Sequence, residues 1–237
     1  MKVVRFAVMS LLSLPPTILL GLLCLLVWPL SDRLSYAVAR GWCQTILGLI
    51  KIICGLSYRV EGLENIPADS CVVFTKHSST FETYAQLIFL PRNCWVLKKE
   101  LLWIPFFGWC LIPLKAIAID RASGRKAVKQ VIEIGTRRLD AGILVAVFPE
   151  GTRMPVGTTK RYGKSGTLLA QQAGRSILPV AHNAGLFWPK GKWGITPGEI
   201  VFRIGPPMDP QGRDAETVNT QIQEWIETQV SELTGNA

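Results

Sequence analysis

Three regimes of apolar and polar spacing follow one another along the chain. After Lys2 and Arg5, an uncharged stretch runs from Phe6 to Leu30, long enough as a helix to reach across a bilayer core of roughly 30 Å. It exceeds the apolar core of about 7 to 15 residues found in secretory leaders and has no small-residue cleavage site, so it reads as retained. Pro15 and Pro16 are expected to interrupt its hydrogen-bond ladder, which leaves a span and a kinked or re-entrant hairpin both open. The second regime, YAVARGWCQTILGLIKIICGL at 36–56, is apolar but carries Arg40 and Lys51 with Trp42 between them. That mixture suits an interfacial helix, with a helix packed on a globular domain as the alternative.

From Ser57 onward, short apolar runs alternate with longer amphipathic segments, the pattern of an α/β layered domain. The predicted strands are SYRVEG, SCVVFT, CWVLK, AIAID, ILVAVFP, ILPVAH and EIVFRIG. Between the fourth and fifth, ASGRKAVKQVIEIGTRRL puts Val128, Val131, Ile132, Gly135 and Leu139 on one helical face. Its basic residues Arg125, Lys126, Lys129, Arg137 and Arg138 fall largely elsewhere. Two more helices are predicted, GKSGTLLAQQAGR and the acidic tail DAETVNTQIQEWIETQVSELTG. The expected organisation is a membrane-associated unit at 1–56 and an α/β domain at 57–237, a size that allows one substantial core.

Composition sharpens the setting. Hydrophobic residues make up 49% of the 237 and the mean hydropathy is +0.27, high for a protein that meets only water. The formal net charge of +9 attracts lipid headgroups or phosphorylated substrates; with no nucleic-acid-binding signature in the sequence, nucleic acid is not an expected partner. Six cysteines stand singly, several in apolar runs, as small hydrophobes in a reducing compartment do. The cations Arg33, Arg40, Lys51 and Arg59 around the second segment place the following domain on the cytoplasmic side.

The candidate chemistry begins at KHSSTFET, 76–83. Here His77, one of two histidines, follows an apolar run and Glu82 comes five residues later. Ser79 to Glu82 also fits a capping box, in which Ser79 opens a helix and Glu82 reaches back to its amide. On a continuous helix five residues turn by about 500°, so His77 and Glu82 meet only if His77 precedes the helix and Glu82 lies in its first turn. A carboxylate-held imidazole can then take the proton of a substrate hydroxyl as that oxygen attacks a carbonyl. Further on, FPEGTR (148–153) offers turn amides, a hydroxyl and the Arg153 guanidinium as phosphate ligands, or an ordinary Pro/Gly turn. Lys160, Arg161 and Lys164 deepen its basic character or form a solvated face. In IAIDR (117–121), Asp120 reads as a cap or turn residue and Arg121 as a second phosphate ligand. The segment VLKKELLWIPFFGWCLIPL carries Trp103, Phe106, Phe107 and Trp109 as an interfacial anchor, an acyl-channel wall or plain core, with Lys98 and Lys99 beside it. His182 reads as a strand-end or core histidine, and no metal-ligand pair accompanies it.

Taken together and in order, HSSTFE (77–82), IAIDR (117–121), FPEGTR (148–153) and ILPVA (177–181) resemble the blocks of the glycerolipid acyltransferase family, most closely its bacterial 1-acyl-sn-glycerol-3-phosphate (lysophosphatidic acid) acyltransferases. The resemblance implies a mixed-sheet α/β fold on an N-terminal apolar helical anchor at the inner membrane. It also implies transfer of an acyl chain from acyl-CoA or acyl-acyl carrier protein to the sn-2 hydroxyl of lysophosphatidic acid, without a further cofactor. On it, His77 is the general base and Glu82 stands where the family has aspartate, one methylene shorter. Glu150, Gly151, Thr152 and Arg153 form the acceptor-binding block, helped by Arg121 and Lys98. Two other readings stay open: an acyltransferase for a different lyso-lipid, such as a lyso-ornithine lipid, and an inert lipid-binding protein.

Overall fold

A computed structural model describes residues 1–235; the last two positions of the expected 57–237 unit lie outside them. All seven predicted strands form: β1 (Leu56–Glu61), β2 (Val72–Thr75), β3 (Asn93–Lys98), β4 (Ile117–Ile119), β5 (Leu144–Val147), β6 (Ile177–His182) and β7 (Gly198–Ile204). They make one sheet in the order β1-β7-β6-β2-β5-β3-β4. It is mixed: β6, β2, β5, β3 and β4 are mutually parallel, β7 is antiparallel to β6, and β1 is parallel to β7.

Strand alternation divides the interior in two, since successive side chains point to opposite faces. Val73, Trp95, Leu97, Ala146, Leu178 and Phe202 face a core shared with α1 (Lys2–Val27), α2 (Asp32–Leu49) and α3 (Phe81–Phe89). Val72, Phe74, Val96, Val145 and Ile177 face a second core under α5 (Arg125–Asp140), α6 (Ser165–Ala173) and α8 (Ala215–Thr234). Two single-turn helices, α4 (Phe107–Cys110) and α7 (Ala184–Phe187), complete the set. In α5 the predicted apolar face is inward, with Val131, Gly135 and Leu139 buried.

The N-terminus departs from expectation. Pro15 and Pro16 do not break α1, which runs unbroken through both. Hydroxyls on either side bond back along the helix, Ser13 to the Met9 carbonyl and Thr17 to the Ser13 carbonyl, each at 2.7 Å. A tight turn, in which the Leu30 and Ser31 amides donate to the Val27 carbonyl, then reverses the chain into α2. The second helix begins at Asp32 rather than 36 and ends in a π turn at Ile50–Cys54, closed by Gly55 at φ +71°. There the left-handed backbone favours glycine. Both helices are long and apolar enough to cross a membrane, and only 11% of the most apolar window of α1 is buried. Leu11, Leu14, Leu19 and Leu26 are among its exposed side chains.

Close approach also selects glycine at 166, where a Cβ would sit 2.4 Å from the ring of the fully buried Phe74. Gly166→Ala should therefore lower unfolding stability by about 1–3 kcal/mol, measured by denaturant unfolding in detergent.

Candidate active site

Five neighbouring parallel strands end at the same edge of the sheet, where α/β proteins place ligands. In spatial order the segments leaving them carry His182 (β6), His77 (β2), the 148–153 turn (β5), Lys98 (β3) and Arg121 (β4). Residues up to about a hundred positions apart in the chain thus meet along one edge.

His77 lies in the loop after β2, and Glu82 in the first turn of α3, the only arrangement in which they can meet. His77 Nδ1 is 2.9 Å from Glu82 Oε1. The same oxygen accepts the Ser78 amide at 3.1 Å and the Ser79 amide at 2.9 Å. The capping box therefore forms, with one variation: the Ser79 hydroxyl takes the Phe81 amide at 3.2 Å. An oxygen accepting two amide protons is a carboxylate oxygen, so the proton it shares with His77 belongs to Nδ1. In the neutral form of the ring, Nε2 is then the lone-pair nitrogen. Burial alone would raise the Glu82 carboxyl, but the His77 bond, the adjacent His182 and His77 rings and the Ser79 amide together hold it below the ordinary carboxylate value.

The FPEGTR block holds His77 in place. The His77 ring stacks on Phe148 with centroids 4.1 Å apart. The His77 amide donates to Glu150 Oε2 at 2.9 Å, and its carbonyl accepts the Met154 amide at 2.7 Å. Gly151 adopts φ +71° and its amide closes the turn onto the Phe148 carbonyl. The Gly151 carbonyl accepts from Arg121, which ties the β4 and β5 turns together. Arg153 donates to Thr80 Oγ1 at 2.8 Å.

His77, Lys98, Arg121 and Arg153 line one cavity of about 290 Å³. The rest of its lining is mostly apolar: Leu87, Trp95 and Leu97 from the domain, Phe106 and Phe107 from the proline-broken segment, and Leu20, Gly21, Cys24, Ala39 and Trp42 from the N-terminal hairpin. Phe106 and Phe107 thus form cavity wall, while Trp103 is 80% exposed and takes no part in the lining.

Some site residues are placed differently from expectation. The Glu150 side chain is fully buried, bonded to Lys76 Nζ at 2.8 Å and to the His77 amide, and does not face the cavity. Burial pushes its carboxyl up against the pull of the Lys76 ammonium. Gly151 and Thr152 flank Arg153 without lining the cavity; the Thr152 hydroxyl accepts from Lys190 at 3.5 Å. Asp120 is the cap residue of its turn, accepting the Ala122 amide at 3.0 Å, and pairs with Lys99. Arg161 and Lys164 are both exposed, paired with Glu216 of α8, and do not line the cavity.

His182 is buried at the end of β6. Its Nδ1 accepts the Ala184 amide at 3.2 Å, so Nε2 carries the proton and donates to the Lys76 carbonyl at 2.7 Å. Burial holds the ring neutral, its value lowered despite the nearby Glu82 charge. Sequence reasoning also missed Gln86, whose amide donates to Thr75 Oγ1 at 2.9 Å and accepts from Trp95 Nε1 at 2.8 Å. That bridge fixes a cavity-lining tryptophan to α3 and β2. A buried glutamine on an amphipathic helix was its one signal.

An imidazole–carboxylate pair stands at an apolar cavity edged with cations, on a mixed α/β sheet, and the chain belongs to the acyltransferase family, whose family model matches residues 57–183. It is 41% identical over 210 residues to the 1-acyl-sn-glycerol-3-phosphate acyltransferase of Pseudomonas aeruginosa, covering 87% of this chain and 81% of that protein. It is 29% identical over 172 residues to the human 1-acyl-sn-glycerol-3-phosphate acyltransferase alpha, where the match covers 71% of this chain and 61% of the relative. The fold matches the crystal structure of the 1-acyl-sn-glycerophosphate (LPA) acyltransferase of Thermotoga maritima with a TM-score of 0.84, covering 98% of this chain and 96% of that one at 24% identity.

The Glu82 geometry sets a pH dependence. A carboxyl held below its unfolded value of 4.5 contributes stability that is complete above that pH and is lost as pH falls through the depressed folded value. Glu82→Gln should flatten this acid limb, measured as denaturant midpoint against pH.

Proposed function

We infer that this acyltransferase moves an acyl chain to the sn-2 hydroxyl of 1-acyl-glycerol-3-phosphate, giving phosphatidic acid. The observation that carries the reading is the Glu82-held His77, whose unprotonated Nε2 shares an apolar cavity with Lys98, Arg121 and Arg153. The relatives, named for that activity, support it.

In this reading the acceptor phosphate lies against the three cations, where Arg153 and Arg121 offer forked donors and Lys98 a point charge. The phosphate favours this acceptor over a lyso-ornithine lipid, which has none. Acyl chain fills the apolar part of the cavity. His77 Nε2 takes the proton of the sn-2 hydroxyl as its oxygen attacks the thioester carbonyl of acyl-CoA or acyl-acyl carrier protein. The Glu82 carboxylate stabilises the imidazolium that forms. Collapse of the tetrahedral intermediate breaks the carbon–sulfur bond, and His77 returns the proton to the departing sulfur. The new ester and a free thiol leave, so no side chain of the protein is acylated. The positioned dyad also speaks against an inert lipid-binding protein.

The exposed apolar side chains of α1 fit attachment to a bilayer, and the Arg33, Arg40, Lys51 and Arg59 cluster fits a catalytic domain on the cytoplasmic face of the inner membrane.

His77→Ala should abolish thiol release from acyl-CoA in the presence of lysophosphatidic acid while leaving vesicle binding intact; unchanged turnover would remove the base. Arg153→Ala should raise the KM for lysophosphatidic acid about 10-fold or more and leave that for monoacylglycerol unchanged. An equal effect on both acceptors would sink the phosphate role.

A further inference from the structure

We propose that Lys76, clamped between Glu150 and Glu227, is a positioning residue for the His77 base, and that helix α8 thereby acts on turnover through Glu227. The inference rests on His77 being the base of the acyl transfer above.

Lys76 immediately precedes His77, yet its side chain is only 2% exposed. Its Nζ lies 2.8 Å from Glu150 Oε1, 2.8 Å from the Thr158 carbonyl, and 2.8 and 2.9 Å from the two oxygens of Glu227. An ammonium has three protons, and three groups receive them. Glu227 is itself fixed by the Tyr162 hydroxyl at 3.1 Å and the Thr159 hydroxyl at 3.0 Å.

Stability alone does not call for such a cluster. Desolvating charges costs several kcal/mol per ion, and well-packed apolar side chains of similar volume commonly do as well or better. What the cluster supplies is direction. Lys76 takes one oxygen of Glu150 and so aims the other at the His77 amide, 2.9 Å away. The Lys76 carbonyl, on the near side of the same peptide, is held by His182. Both polar groups of the peptide leading into His77 are therefore fixed from below, and with them the line along which the imidazole enters the cavity. No residue of α8 lines that cavity among those described, so its route to the chemistry is the relay from Glu227 through Lys76 and Glu150 to His77.

The charge count gives the test its form. Removing Lys76 leaves the buried Glu150 carboxylate facing the partly exposed Glu227, and removing the Glu227 charge leaves Glu150 as the one anion on the ammonium. Either change lets Glu150 turn and releases the His77 amide. The measurement uses the full-length protein in detergent micelles with acyl-CoA and lysophosphatidic acid, comparing wild type, Glu227→Gln, Glu227→Asp, Lys76→Met, Lys76→Met/Glu227→Gln and the exposed control Glu224→Gln on the same helix.

Glu227→Gln should lower kcat about 10- to 100-fold with both KM values within about twofold and the melting temperature retained. Glu227→Asp should restore part of kcat, Glu224→Gln should match wild type, and the double variant should be no slower than the slower single one. A folded Glu227→Gln with kcat within about twofold of wild type, or with its loss confined to the acceptor KM, overturns the proposal. Should Lys76→Met not fold, Glu227→Gln decides alone, because that side chain is 24% exposed on the helix surface.

A second readout does not depend on turnover: the ¹⁵N resonances of the His77 ring should move in Glu227→Gln and stay in Glu224→Gln. Unmoved resonances overturn the proposal. A wild type that releases no thiol fails the acyl-transfer reading, and the resonances then judge the relay on their own.

Discussion

Everything at this site depends on five parallel strands ending along one edge. Parallel strands cannot be joined by tight hairpins; each crossover spends a helix or long loop and returns the chain to the same side. The loops that leave β6, β2, β5, β3 and β4 are therefore neighbours in space although far apart in sequence. His77 after β2, the turn after β5 that stacks under it, and the cations after β3 and β4 are products of that single geometric rule. The antiparallel β7 sends its own carboxyl end to the opposite edge and contributes nothing to the cavity.

Within that frame, one oxygen of Glu82 does three jobs. It receives the Ser78 and Ser79 amides as a helix cap does, and it receives His77 Nδ1 as a catalytic carboxylate does. The extra methylene relative to aspartate is taken up by reaching back over the first turn of α3. Cap and dyad thus meet at one carboxylate oxygen. Against the burial that would raise it, the carboxyl is held below the ordinary carboxylate value chiefly by the His77 bond, with the Ser79 amide adding to it.

Much of this was legible in the sequence, for identifiable reasons. The strands β2, β5 and β6, buried on both faces, read as short apolar runs, all seven strands were found, and ILPVAH was bounded to the residue. His77 and Glu82 were legible because a capping box has fixed spacing. Arg121 at a strand end, Arg153 in the FPEGTR turn and Lys98 beside the aromatic segment were candidates in the sequence, and all three line the cavity. What stayed hidden depended on partners that no local pattern announces. Lys76 is a charged residue with no periodicity to mark it as buried, and Glu227 looks like any other acid on an acidic helix. Glu150 was misplaced for the same reason: a turn carboxylate gives no sign of whether it faces inward or out. Pro15 and Pro16 misled because the rule that proline interrupts a helix counts only lost hydrogen bonds, whereas α1 continues through both.

The N-terminal hairpin has a role that its apolar composition conceals. Leu20, Cys24, Ala39 and Trp42 line the cavity while Leu11, Leu14, Leu19 and Leu26 of the same hairpin stand exposed. One pair of helices thus presents side chains to the cavity and to the surroundings at once. Taking these two helices away would remove one wall of the cavity.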